Sequence, residues 1–147
     1  MFKFWGGVNF GSEPYLIELR NNCKISGKVT FITHDGGTHA FRYMCEHNKD
    51  IVKFGTIIVD EWAFVGNGST IMPNVKIGKH SVIGAGSVVT NDVPDYTVWA
   101  GVPARQICTL DEYQEKCKSL LENNFDINQY KKNKKEYLIR YFWERET

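Results

Sequence analysis

The sequence predicts an all-β fold, a parallel β-helix wound from six-residue repeats, followed by a helical extension. Two observations support this prediction. An aliphatic residue recurs at every sixth position in the middle of the chain, and after Cys108 the apolar spacing becomes helical. A short internal repeat determines the fold more strongly than any single element does.

The repeat consists of hexads in which the first residue is β-branched and aliphatic and the fifth is small or Val. The first positions are Val59, Val65, Ile71, Ile77, Ile83 and Val89, and the fifth positions are Ala63, Ser69, Val75, Ser81, Ser87 and Val93. No α-helix has this period, and the strands of a β-sandwich would turn at about every 8–12 residues. Three hexads can close a triangular coil whose aliphatic residues point inward and stack on the next coil.

An earlier set of residues has the same period and predicts another coil. Leu19, Ile25 and Phe31 take the first positions, with Cys23 and Val29 at the fifth. The separation between Phe31 and Val59 is not a multiple of six, so a loop at positions 33–56 is predicted to interrupt the repeat. Loops that interrupt a rigid scaffold often carry function.

The C-terminal quarter has apolar residues at helical spacing, which predicts two helices over 110–123 and 129–144. We therefore predict a β-helix domain at 1–107, with the loop inserted, and a helical extension at 108–147. The basic run at 131–135 is typical of a solvated helix face in a chain of this charge.

Composition argues against several classes of protein. The 147 residues include 18 basic and 17 acidic side chains, and a net charge of +1 provides no overall field for nucleic acid or an anionic membrane. No apolar stretch approaches the roughly 20 residues that span a bilayer, and the N-terminal residues lack the layout of a secretory signal. The four cysteines form no CxxC pair and fit reduced thiols. We expect a cytoplasmic protein.

The predicted loop contains three of the four histidines, His34, His39 and His47. Imidazole titrates near neutral pH, which suits a general base that takes a hydroxyl proton during acyl transfer. His34 directly follows the aliphatic run 29–32, so the end of a coil would hold its backbone while its ring stays accessible. His39 has no such anchor, and a surface role is expected for it.

Residues 65–93, VGNGSTIMPNVKIGKHSVIGAGSVVTNDV, resemble the signature of the hexapeptide-repeat transferase family. The segment VTFITHDGGT at 29–38 is similar to that of capsular and lipopolysaccharide O-acetyltransferases, and its aliphatic run resembles one in the galactoside, maltose and xenobiotic acetyltransferase branch. The resemblance implies a left-handed β-helix and a homotrimer with active sites between subunits. It also implies acetyl-coenzyme A as acyl donor, and a catalytic histidine just after such a run, which here is His34.

The same resemblance favours a hydroxyl of a sugar or polysaccharide precursor as acceptor. The residues predicted to line its pocket are Asn9, Glu13, Asp35, His39 and Phe64. Asp35 could orient an imidazole, although an Asp before two glycines favours a turn. Phe64 stands where several relatives have Trp, so their acceptor preference does not transfer directly.

The last coil offers the features that coenzyme A requires. Gly84 and Ala85 leave room for pantetheine at a turn, and in the family the residue matching Ala85 commonly contacts the cofactor. The segment AGVPAR at 100–105 resembles the family's closing element, which implies that Arg105 faces a coenzyme phosphate, for which its planar fork is suited. Trp99 or Pro103 could pack on adenine, and closing the end of the apolar prism is an equal alternative for Trp99.

Two other functions stay open on sequence alone. His34 and His39 have the H-x4-H spacing that resembles two ligands of β-helical carbonic anhydrases, but no histidine precedes His34 to supply the third ligand. We therefore expect no metal. A non-catalytic β-helix that serves as a binding or assembly platform is the third possibility, because a repeat does not specify chemistry.

Overall fold

The computed structural model describes residues 3–4, 6–122 and 125–144, and the chain divides into two compact units, Met1–Leu110 and Asp111–Thr147. The strands are β1 (Lys3–Phe4), β2 (Ile17–Leu19), β3 (Lys24–Ile25), β4 (Thr30–Phe31), β5 (Ile57–Val59), β6 (Phe64–Val65), β7 (Thr70–Ile71), β8 (Val75–Ile77), β9 (Val82–Ile83), β10 (Val88–Val89), β11 (Thr97–Gly101) and β12 (Ala104–Thr109). The helices are α1 (His39–Arg42), α2 (Leu110–Glu122), α3 (Ile127–Lys132) and α4 (Lys134–Trp143).

Three sheets form the sides of the β-helix. Sheet A has the order β1-β3-β6-β9-β11-β12, sheet B β10-β7-β4 and sheet C β2-β5-β8. The strand pairs are parallel apart from the β11–β12 hairpin. Phe64 pairs with Val82 and Thr70 with Val88, and in both cases the chain advances by three hexads. Three hexads therefore make one coil, which is the register that the repeat predicts.

The core is the stack of aliphatic residues that the six-residue period selects. All six predicted first positions from Val59 to Val89 are fully buried, and Ile25 and Phe31 extend the stack through the earlier coil. Ser81 and Ser87, at fifth positions, are buried too, and each hydroxyl donates to a carbonyl three residues back, Gly78 and Gly84, at 2.6 Å. Because each buried hydroxyl has its acceptor, a polar residue can occupy these positions at little cost.

Segment 33–56 separates β4 from β5. Thr30 of β4 pairs with Thr70, more than two regular coils later in the sequence, although the two strands are neighbours in sheet B. The segment contains α1 and two short 3-10 turns, Gly36–Thr38 and Glu46–Asn48. Its two ends meet in an antiparallel bridge between His34 and Phe54, so the chain leaves and re-enters the β-helix at the same corner.

An aromatic stack covers the corner between sheets C and A. The rings of Trp62, His80 and Tyr96 lie parallel on successive coils, with centroids 6.0 and 5.3 Å apart. All three residues have a left-handed backbone, with φ between 51° and 61°. We name these residues the corner stack. The packing of His80 could not be read from the hexad pattern, because its neighbours in the stack lie on other coils.

The C-terminal unit differs from its prediction in one respect. The helix expected over 129–144 is two helices, α3 and α4, because Asn133 has a non-helical backbone (φ −147°, ψ 76°) and stands at the N-terminus of α4. The first helix, α2, ends at Glu122, and Asn123, its predicted end, lies outside the described residues. No helix that the structure describes has both the length and the apolar character needed to span a bilayer.

Candidate active site

His34 and Glu13 form a hydrogen-bonded pair at the corner where β4 ends. His34 Nδ1 lies 3.0 Å from Glu13 Oε2, and the two side chains are 49% and 16% exposed. A carboxylate can only accept, so Nδ1 carries the proton and the neutral ring keeps Nε2 as an acceptor. The histidine is therefore oriented with its basic nitrogen available.

The Glu13 carboxylate is held ionised by its donors. Hydrogen bonds from Ser12, Thr33 and His34 lower the pKa of Glu13 to about 2. The Thr33 hydroxyl donates to the same oxygen at 2.7 Å and is itself buried. Glu13 was expected to line the acceptor pocket, whereas the structure places its carboxylate against His34.

Asp35 does not orient the imidazole. Its Oδ1 accepts the Gly37 N–H at 2.9 Å and so caps the following turn, while Oδ2 lies 3.1 Å from Lys53 Nζ. Both contacts lower the pKa of Asp35, the hydrogen bond from Gly37 most. Asp35, which is adjacent to His34 in the sequence, therefore stabilises the turn, whereas Glu13, from an earlier part of the chain, hydrogen-bonds to the histidine.

A shallow cavity of about 200 Å³ opens beside His34. Its walls are formed by two ends of segment 33–56, and they include His34, Asp35, Gly36, Thr38, Arg42, Val52, Lys53 and Phe54. The Phe54 ring lies 6.1 Å from the His34 ring. Arg42, Lys53 and Phe54 were not predicted as site residues, because the sequence does not reveal how the loop folds back.

Three predicted acceptor residues lie away from this cavity. His39 contacts the Tyr43 ring edge-on at 5.6 Å, and Asn9 forms a β-bridge to Thr30 while its side chain accepts from Gly11 N–H. Phe64 lies on sheet A, paired with Lys24 and Val82. None of the three lines the cavity beside His34, since Asn9 and Phe64 belong to the coils and His39 lies in α1. Contact of these residues with an acceptor stays a prediction.

Four of the five predicted coenzyme residues, Gly84, Ala85, Pro103 and Arg105, lie at the corner between sheets A and B. The turn at Gly84 and Ala85 meets the β11–β12 hairpin, since Gly101 N–H donates to Ser87 Oγ at 3.1 Å. The hairpin also carries Pro103 and Arg105, both exposed. A Cβ on Gly84 would lie 2.8 Å from Ala100 Cβ, so strand packing already explains this glycine.

Trp99 does not belong to that surface. It pairs with Ile83 in sheet A and packs against the core, with its indole nitrogen buried and without a partner. Of the two roles considered for Trp99, its packing against the core supports closing the apolar end, and a contact with adenine stays a prediction.

Groups suited to a metal are absent from the part of the chain that the structure describes: no three His, Cys, Asp or Glu side chains converge. His34 uses Nδ1 for Glu13, and His39 contacts Tyr43. A larger cavity of about 320 Å³ lies between α3 and α4, lined by residues such as Lys132, Glu136 and Arg140 and by no histidine. His34 therefore combines a candidate base with a cavity.

Comparison with known proteins identifies the repeat. Residues 63–91 match the family described as bacterial transferase hexapeptide (six repeats). The protein CapG of Staphylococcus aureus is 42% identical over 136 residues, covering 92% of this chain and 76% of CapG. The galactoside O-acetyltransferase of Escherichia coli is 33% identical over 100 residues, which cover 68% of this chain and 47% of that enzyme. The chain thus spans about half the length of the latter relative.

Solved structures agree with this relationship. AntD, an N-acyltransferase from Bacillus cereus solved with dTDP-4-amino-4,6-dideoxyglucose and coenzyme A, has a TM-score of 0.58 and 25% identity, covering 80% of this chain and 67% of AntD. A maltose O-acetyltransferase from Clostridium difficile, at 24% identity and a TM-score of 0.55, shares the fold over 75% of this chain and 68% of its own. Such neighbours imply the left-handed winding. The chain belongs to the hexapeptide-repeat family of acyltransferases.

Proposed function

We propose that this protein is an acetyl-coenzyme A-dependent O-acetyltransferase that modifies a hydroxyl of a sugar or polysaccharide precursor. The observation that carries the proposal is the His34–Glu13 pair, which leaves Nε2 as a basic nitrogen at the edge of a cavity. The relationship to galactoside O-acetyltransferases supports a sugar hydroxyl as acceptor.

His34 acts as general base in a direct transfer. Nε2 takes the proton of the acceptor hydroxyl as that oxygen attacks the thioester carbonyl. The imidazolium that forms donates through Nδ1 to the Glu13 carboxylate, 3.0 Å away, which stabilises its charge. When the C–S bond breaks, the imidazolium returns its proton to the leaving thiolate, so no covalent enzyme intermediate is needed.

Coenzyme A binds at the corner of Ala85 and the β11–β12 hairpin, with Arg105 toward a phosphate. This corner lies where the strands of sheet B begin, and the corner with His34 lies where they end. In one coil the stretch from Lys28 to Thr33 separates the two corners, which is roughly 16 Å of extended chain. We therefore propose that the site is completed between chains in a homotrimer, where the coenzyme corner of one copy meets the His34 corner of the next.

The test is thiol release from acetyl-coenzyme A against a panel of sugars, amino sugars and alcohols. We expect His34→Ala to lower kcat by about 10²- to 10⁴-fold, because that is the contribution typical of a general base. His39→Ala is the matched control, since this histidine lies in the same segment but not in the cavity wall, and it should keep near wild-type rates.

Three outcomes would count against the proposal. Equal rates in wild type and His34→Ala would remove His34 as the base. Faster transfer to amines than to hydroxyls would change the acceptor class. If neither thiol release nor coenzyme A binding were detected, the protein would be better explained as a non-catalytic β-helix that serves as a binding or assembly platform. The family relationship by itself does not favour that explanation.

A further inference from the structure

Arg42 is a fixed positive charge in the wall of the His34 cavity. Its Nη2 donates to the Thr38 hydroxyl and to the Ile51 carbonyl, both at 3.0 Å. Its Nε is buried and has no hydrogen-bond partner among the residues that the structure describes. Two neutral acceptors on opposite sides of the segment thus hold the guanidinium in place, and the side chain is only partly exposed.

No carboxylate of the described residues forms an ion pair with Arg42. The other charges near the cavity already have partners. Lys53 lies against Asp35 at 3.1 Å, and Glu13 lies behind His34. The cavity wall therefore carries one more positive than negative side chain while His34 is neutral.

A half-buried cation without a counterion is unfavourable unless an anion approaches it. Arg suits this role because its planar fork binds a carboxylate or a phosphate through two parallel hydrogen bonds. Val52 and Phe54 line the same cavity and provide apolar surface, with Phe54 49% exposed. The cavity thus combines a base, a cation and an apolar surface, which fits a sugar ring that carries an acidic group.

We propose that the acceptor is an anionic sugar, whose carboxylate or phosphate binds Arg42 while one of its hydroxyls meets His34. This inference rests on the proposed transferase function and names the class of its acceptor. Arg42 is then a specificity-determining residue: it positions the acceptor and takes no proton. Because the guanidinium is held in place, it favours an acceptor whose acidic group can reach it.

The experiment compares sugars that differ in the acidic group alone. Methyl β-D-glucuronide and methyl β-D-glucoside separate a carboxylate from a hydroxymethyl group, and methyl β-D-glucoside 6-phosphate tests a phosphate at the same position. Acceptor kcat/KM is measured for wild type, Arg42→Gln, Arg42→Lys and Lys49→Gln. Lys49 is the matched control, because it is exposed in the same segment, pairs with Glu46 and does not line the cavity.

We expect wild type to prefer one charged sugar over the glucoside by about 10- to 100-fold, the range for hydrogen bonds to a charged group. Arg42→Gln should remove that preference, Arg42→Lys should keep part of it, and Lys49→Gln should keep all of it. If Arg42→Gln does not fold, the rates of wild type with the three sugars still test whether the acceptor is anionic. Salt raised from about 0.05 M to about 0.5 M should weaken transfer to the charged sugar and leave the glucoside unaffected.

Each contrary result has its own meaning. His34-dependent transfer to all three sugars at similar rates would overturn the anionic acceptor and leave the transferase standing. A charge preference that survives in Arg42→Gln would overturn the role of Arg42. A lack of His34-dependent transfer to any acceptor would overturn the proposed function, and this inference with it.

Discussion

Gly66 is the position where coil stacking can be tested with one methyl group. It follows Val65 of β6, and its N–H donates to Ile83 O in the next coil at 2.8 Å. A Cβ built on Gly66 would lie 2.6 Å from both Ile83 O and Ala85 N, which are backbone atoms. No side-chain rotation can relieve this contact, so Gly66→Ala must push the two coils apart.

The expected cost follows from the distances. An ordinary Cβ contact begins at 3.4 Å, so the coils must separate locally by roughly 0.8 Å, and the hydrogen bond at 2.8 Å would lengthen beyond 3.5 Å. Losing that bond is worth about 1 kcal/mol, and overpacking a core adds about 1–3 kcal/mol. We expect Gly66→Ala to lower the free energy of unfolding by about 2–4 kcal/mol.

Urea unfolding, followed by circular dichroism at a fixed protein concentration, measures this change. Gly68→Ala and Gly36→Ala are the controls, because a Cβ at either position meets no atom within 4 Å. Gly68 has φ +69°, so its alanine variant should lose about 1–2 kcal/mol from backbone strain alone. Gly36 should change little. If Gly66→Ala is no more destabilised than Gly68→Ala, steric stacking of the coils is not what requires glycine at this position.

Two further predictions concern Glu13 and the corner stack. Because the folded pKa of Glu13 is about 2 against an ordinary 4.5, its contribution to stability is complete above pH 4.5 and is lost as the pH falls toward 2. The unfolding temperature of wild type should therefore fall as the pH is lowered toward 2, and Glu13→Gln should lack this fall. Identical pH profiles for the two proteins would contradict the low pKa assigned to Glu13. His80→Asn removes both ring contacts of the corner stack while Asn tolerates the left-handed backbone. It should cost about 1–2 kcal/mol in urea unfolding, and an unchanged midpoint would show that the stack does not stabilise the fold.

Much of the fold was predictable because one short period repeats. Each hexad marks its own buried residue, so Val59 and Ile83 could be assigned to the core without knowledge of the turns between them. The break at Asn133 was not predictable, because apolar spacing continues across it and only the backbone there departs from helix. The corner stack was missed for a related reason, since its members belong to different coils and meet only when those coils stack.

The candidate site was predictable only in part. His34 was singled out because a coil ends directly before it, and that reasoning concerns local chain geometry. Its partner could not be chosen in the same way: Asp35 is adjacent, but its carboxylate caps the turn, and Glu13 reaches the ring from an earlier part of the chain. Arg42 had no distinguishing feature among the polar residues of segment 33–56.

The sequence by itself determined the repeat, the inward-facing residues and the resemblance to the family, because these depend on a periodicity that can be read within each stretch of hexads. Tertiary structure alone decided which carboxylate meets His34, which cation lines its cavity, and at which corner each group of predicted residues lies. The physical reason is that residues of a β-helix become neighbours when they lie on adjacent coils at the same corner. An interruption such as segment 33–56 breaks the regular spacing between paired strands, and where its side chains point depends on how its ends close at His34 and Phe54.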